Sequence, residues 1–139
     1  MSGIAQGVNR TGLATPTAGQ MAWQDCEIGL FVHFDITVYR PEWNFRTFAD
    51  LPDPALYNPA RLDTDQWMDA ANALGAKYVV FVAKHCSGFC QWQTDIYPYG
   101  VKQSPWRRGK GDVVRDFVDS CRRHGLRPGL YASTTANAW

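Results

Sequence analysis

The sequence predicts an α/β fold with parallel strands, forming the amino-terminal portion of a larger unit. Three observations lead there. Residues 28–34 (IGLFVHF) and 78–83 (YVVFVA) are short apolar runs without alternation, rich in β-branched and aromatic residues, as strands buried on both faces are. Helical spacing follows each of them before the next strand, giving the order strand, helix, strand, helix, strand, and such crossovers produce parallel, right-handed connections. The connections are also lopsided. Helix-to-strand links are very short, whereas the strand-to-helix links run to about 28 residues each, a length that usually carries function. Both long loops leave the carboxyl ends of the strands, where α/β proteins hold their ligands. Three strands and two helices cannot cover both sheet faces or close a barrel of about eight units. The central strand would be left with an exposed edge, so the chain is expected to be part of a larger α/β body.

Composition narrows the function. The 139-residue chain carries a net charge of +1 and a pI near 7.7, which gives no electrostatic reason to expect nucleic acid or an anionic membrane as partner. No apolar run approaches the roughly 18 residues of a membrane span. Aromatic residues make up 14% of the sequence, enough for a pocket that stacks flat faces on a ligand, although core packing accounts for them equally well. The four cysteines (Cys26, Cys86, Cys90 and Cys121) are too sparse for a disulfide scaffold and are expected to be reduced thiols.

Residues 1–20 hold Gly, Thr, Asn and Pro without an apolar stretch, and are expected to be a flexible lead-in rather than a signal peptide. The first strand ends at His33, followed by Asp35. A long loop punctuated by Pro41, Pro52, Pro54 and Pro59 then runs to about residue 62. Asp63 with Gln66 three residues on forms a helix-start signal, and Trp67, Ala70, Ala71 and Leu74 recur at helical spacing before Gly75 ends the helix. The central strand follows at once and turns abruptly polar at Lys84-His85-Cys86-Ser87-Gly88. After the second loop, a helix is expected over residues 112–123, with Val114, Phe117, Val118 and Cys121 as its apolar stripe and Asp112 at its positive end. Residues 127–132 form the third strand.

Several residues could carry chemistry. His33 and His85 end neighbouring strands above two long loops, so their imidazoles are expected to face one cavity; a lone histidine there would merely bond a backbone carbonyl. Tyr131, near the end of the third strand, joins them on the same rim. Glu42-Trp43 in the first loop pairs a carboxylate with an indole, a natural grip for a sugar, or else is a solvated acid beside a half-buried ring. Zinc ligation by His85, Cys86 and Cys90, with Cys26 or His33, does not match the usual finger spacings. Cys86 as a nucleophile would need a base, and its neighbour His85 points elsewhere on a strand. Gly109-Lys110-Gly111-Asp112 lacks phosphate-loop spacing and reads as a turn plus helix cap. Trp23, Trp67 and Trp106 read as packing.

Taken together, these pieces resemble the amino-terminal part of the α-L-fucosidases of glycoside hydrolase family 29. The landmarks are Trp23, G-L-F-V-H-F at 29–34, Glu42-Trp43, Y-N-P at 57–59 and a D-x-x-x-W ending at Trp67. They continue with G-A-K-Y-V-V at 75–80, K-H-C-S-G-F-C-x-W at 84–92, S-P-W at 104–106, G-K-G-D-V-V at 109–114 and G-L-Y at 129–131. The S-P-W and G-K-G-D pieces look most like the branch acting on α-1,3/1,4-linked fucose. The resemblance implies that residues 21–139 are about three βα units of a (β/α)8 TIM-like barrel, and that the remainder of the barrel is needed.

It further implies a retaining exo-α-L-fucosidase acting on fucosylated oligosaccharides or glycoprotein glycans, without cofactor or metal. His33, His85 and Tyr131 match residues that hold the fucose ring, and Glu42 and Trp43 match a loop pair that does so. The aspartate nucleophile and the acid/base are expected beyond Trp139, so the chain by itself is expected to be inactive. Three positions depart from the family pattern. Cys86 stands where the family has a second histidine of the sugar site, Ser87 where an aspartate follows it, and Asp35 where a glycine follows the first strand. A non-catalytic glycan-binding relative, or a barrel glycosidase for another sugar, are the alternatives.

Overall fold

A computed structural model describes residues 12–47 and 49–134. Residues 1–11, more than half of the expected lead-in, lie outside the described part. The elements run α1 (Ala18–Gln24), β1 (Gly29–Val32), α2 (Thr64–Leu74), β2 (Tyr78–Lys84), α3 (Val113–Arg123) and β3 (Arg127–Ala132). Short 3-10 turns interrupt both long loops, at Ile36–Tyr39 and Pro54–Leu56 in the first and Val101–Gln103 and Trp106–Gly109 in the second.

The three strands form one parallel sheet in the order β1-β2-β3, as the crossover order predicts. β2 is central, and its Val79, Phe81, Val82 and Ala83 are buried. Its Phe81 ring lies 5.6 Å from Trp67 of α2 and 5.4 Å from Phe117 of α3, centroid to centroid. Phe81 therefore marks the helix-covered face. By the period of two, Phe31 of β1 and Tyr131 of β3 lie on the opposite face, where their rings meet at 6.1 Å. Every residue of β3 except Gly129 is exposed.

The caps follow the predicted chemistry. The Asp63 carboxylate accepts from the backbone N–H groups of Asp65 and Gln66, and Gly75 ends α2 in the left-handed conformation at φ +80°. Asp112 caps α3 by accepting from Arg115 N–H, so the Gly109–Asp112 stretch ends as a turn plus helix cap. Gly111 has its own reason to be glycine: a Cβ there would stand 2.0 Å from the Trp106 ring.

Three expectations change. A reciprocal capping box between Thr17 and Gln20 starts α1 inside the lead-in; the helix buries no residue and so carries no apolar stripe to betray it. The buried side of α2 is Thr64, Met68 and Ala71, whereas Leu74 is 53% exposed. The stripe is therefore rotated towards α3, where Thr64 Oγ1 and Ser120 Oγ share a hydrogen bond of 2.7 Å. Trp23 is 61% exposed beside Tyr78 rather than packed in the core.

The long loops are not loose. Tyr57, fully buried, sits between Phe34, Tyr39, Phe89 and Trp106. Tyr99 of the second loop donates to the Pro52 carbonyl of the first at 2.8 Å. Both loops thus pack into one body over the strand tips.

The phase of α2 is tested by denaturant unfolding of the full-length protein. Met68→Ala is expected to destabilise it by about 2–5 kcal/mol, since it opens a cavity, and Leu74→Ala by less than about 1 kcal/mol, as at an exposed position. Equal losses would mean the stripe was placed wrongly.

Candidate functional site

The site forms where the polar residues after β1 and β2 meet the end of β3. The His33 and His85 rings stand edge to face with centroids 4.4 Å apart, and the Tyr131 ring lies 6.1 Å from His85. They stand at positions 33, 85 and 131 of the sequence; the parallel sheet brings them to one rim.

Strict alternation alone would not do this. Counting by twos from Phe81 sends His85 to the helix-covered face, whereas Phe31, His33 and Tyr131 lie on the other. The register between β2 and β3 shifts by one residue between Val82 and Lys84, opposite Tyr131 and Ala132. Such an irregularity re-aims the side chains that follow, and His85 comes to the His33 side. Lys84 is itself buried, with its ammonium 4.7 Å from the Tyr97 ring centre.

Cys86 joins the rim through its thiol, with Sγ 3.0 Å from His85 Nδ1. Beneath lies Asp35, 1% exposed. Its Oδ1 accepts from Ser87 Oγ at 3.0 Å and its Oδ2 lies 3.4 Å from Thr37 Oγ1. Gln91, also fully buried, donates from Nε2 to the carbonyls of Phe34 at 2.6 Å and Val82 at 2.8 Å, while its Oε1 accepts from Tyr57 Oη–H at 3.0 Å. One amide thus ties β1's tip, β2's tip and the first loop together.

Glu42 and Trp43 have partners in their own loop. Glu42 is exposed and pairs with Arg40 Nε at 3.4 Å. Trp43 is buried, its indole N–H donating to the Ala49 carbonyl at 2.8 Å. In this arrangement its ring is committed to the loop rather than offered as an open face.

Electrostatics favour a neutral rim. Burial, then the neighbouring His33, holds His85 below the ordinary histidine pKa, with Asp35 opposing. Burial, with Asp35 adding to it, pushes the Cys86 thiol up, and burial pushes Asp35 above the usual carboxylate range against the hydrogen bonds from Ser87 and Ile36 N–H. The His85 imidazole and the Cys86 thiol, with the Tyr131 hydroxyl, offer hydrogen-bond donors and acceptors beside apolar ring surface, a combination suited to a polyhydroxylated, uncharged ligand. Among the described residues no three His, Cys, Asp or Glu side chains converge as metal ligands would. Cys26 lies before β1, its Sγ donating to Ala22 O and facing Arg127 at the other end of the sheet. An open groove between α3 and β3, lined by Trp92, Val114, Val118 and Leu130, lies on the helix side and is not part of the rim.

Sequence reasoning missed Gln91 and Tyr57 as organisers of the site. For Gln91 the one sign of burial in the sequence is its place between Cys90 and Trp92.

Comparison with known proteins gives the family and the fold. The family described as Alpha-L-fucosidase matches residues 13–138. The chain is 34% identical to "Alpha-L-fucosidase 1" of Arabidopsis thaliana over 122 residues, covering 87% of this chain and 23% of that protein. It is 32% identical to the plasma alpha-L-fucosidase of Homo sapiens over 115 residues, covering 80% of this chain and 22% of the relative. Among solved structures it superposes on a glycoside hydrolase 29 family member from an unknown rumen bacterium with a TM-score of 0.77 and 42% identity, covering 84% of this chain and 21% of the other. The chain spans under a quarter of the length of these relatives.

The depressed histidine is checked by NMR titration of ring resonances in the full-length protein. His85 is expected to titrate below 6.5, its ordinary value, and its midpoint should rise in His33→Ala. A histidine with a lowered folded pKa binds its proton less well when folded. Its stabilising share is therefore present above about 6.5 and is lost as pH falls from there towards the folded value. A midpoint at or above 6.5 would contradict the neutral rim.

Proposed function

The chain belongs to the α-L-fucosidase family, and on that premise we propose that it supplies part of the sugar-binding rim of a retaining exo-α-L-fucosidase acting on terminal α-L-fucose of oligosaccharides or glycoprotein glycans. The observation that carries this reading is the His33–His85 pair at 4.4 Å with Tyr131 beside it. Two imidazoles at an angle direct donors and acceptors at different hydroxyls of one ring. The phenyl faces of Tyr131 and Phe31 cover its apolar edge. Cys86 takes part as the residue that touches His85. Glu42 and Trp43 belong to the same proposal as a loop pair that would have to move towards the rim, Trp43 giving up its bond to Ala49.

A retaining reaction needs two carboxylates flanking the glycosidic bond, one as nucleophile and one as acid and then base. Asp35 is the carboxylate nearest the histidines, yet it is buried under them and engaged by Ser87. It is therefore assigned neither role, and no other carboxylate of residues 1–139 is assigned one. The rim residues act by binding: they orient the ring so that its anomeric carbon meets those groups.

Three outcomes test this. The full-length protein is expected to hydrolyse a chromogenic α-L-fucoside, and residues 1–139 alone are expected not to. His85→Ala should lower kcat/KM by roughly 10- to 100-fold, the loss of a hydrogen bond or two in a desolvated pocket. Titration with L-fucose and D-galactose should favour fucose. A preference for galactose would point to another sugar, and fucose binding without turnover would point to a glycan-binding protein.

A further inference from the structure

The backbone ladder between β1 and β2 pairs Gly29 with Tyr78 through Val32 with Phe81 and goes no further. His33 and His85 both lie beyond its last row, so strand pairing does not fix the distance between their rings. Two residues past each histidine, however, the chains are joined again: Asp35 follows His33 and Ser87 follows His85, and Ser87 Oγ meets Asp35 Oδ1 at 3.0 Å. The bond has a direction. Ser87 Oγ accepts from Phe89 N–H at 3.1 Å, which leaves its own proton for the carboxylate. Both residues are almost wholly buried, so water does not compete for either partner.

We propose that Asp35 and Ser87 are positioning residues for the histidine pair: their hydrogen bond closes the strand tips and sets the ring separation on which sugar binding depends. The part concerning sugar rests on the fucosidase reading above; the part concerning the rings does not. Gln91 ties the same strands through the Phe34 and Val82 carbonyls, which anchors the tips. The clasp sits beyond that anchor, on the side of His85 and Cys86, where a change of length or charge is felt by the rings first.

The geometry also predicts that the clasp works with its ends reversed, since one hydroxyl and one carboxylate meet whichever strand carries which. The test uses the full-length protein with histidine side chains labelled for NMR. Ser87→Ala, a small change at a residue making two hydrogen bonds, is expected to shift both ring resonances. It should also raise KM for an α-L-fucoside by roughly 5- to 100-fold, with a smaller change in kcat. Ser87→Asp alone sets two carboxylates against each other and should be worse than Ser87→Ala. Asp35→Ser combined with Ser87→Asp should bring the ring resonances and KM back towards those of the parent. Unaltered ring resonances in Ser87→Ala would overturn the proposal, as would a well-folded reversed pair no better than Ser87→Asp. If the reversed pair does not fold, Ser87→Ala decides alone. Shifted rings in a protein that turns over no fucoside would sink the sugar reading and leave the clasp standing; normal turnover with unmoved rings would do the opposite.

Discussion

Hydrogen bonding between β1 and β2 stops at Val32 and Phe81, and the rim depends on what replaces it. Backbone carbonyls left at the strand tips must find donors or suffer burial without partners. Gln91 meets two of them with one amide group. Tyr57 fixes the other end of that amide and packs under Phe34, Phe89 and Trp106. Side chains from the loops thus do at the carboxyl end of the sheet what the ladder does below. The two long loops therefore pack against each other over the strand tips.

Much of this was legible in the residues, and the parts that were not share a cause. β2 declares itself because a central parallel strand must be apolar on both faces. The helix ends follow from Asp63, Gly75 and Asp112, whose capping bonds are local. The phase of α2 is different. Met68 rather than Leu74 is buried because α3 lies to one side, and its position is not written in the helix itself. Trp43 offers a free indole face when read along the chain, but its own loop claims that ring. Helix α1 escaped because it buries nothing. Local chemistry was readable; choices made by distant partners were not.

The site shows the same division. His33, His85 and Tyr131 are predictable from strand ends, yet strand alternation alone would have parted His85 from the others, and the register shift at Val82–Lys84 reunites them. Along the chain, Asp35 and Ser87 are two separate departures from the family pattern, 52 residues apart. In space they are one buried contact. The Asp35 carboxylate is buried and bonded to Ser87.

The account comes down to whether the angled imidazole pair is where a sugar sits. A crystal structure of the full-length protein with L-fucose bound measures this directly. The ring hydroxyls are expected within hydrogen-bond distance of His33 and His85, about 2.7–3.2 Å, with Tyr131 against the apolar edge of the sugar. Fucose bound away from both histidines would contradict the account.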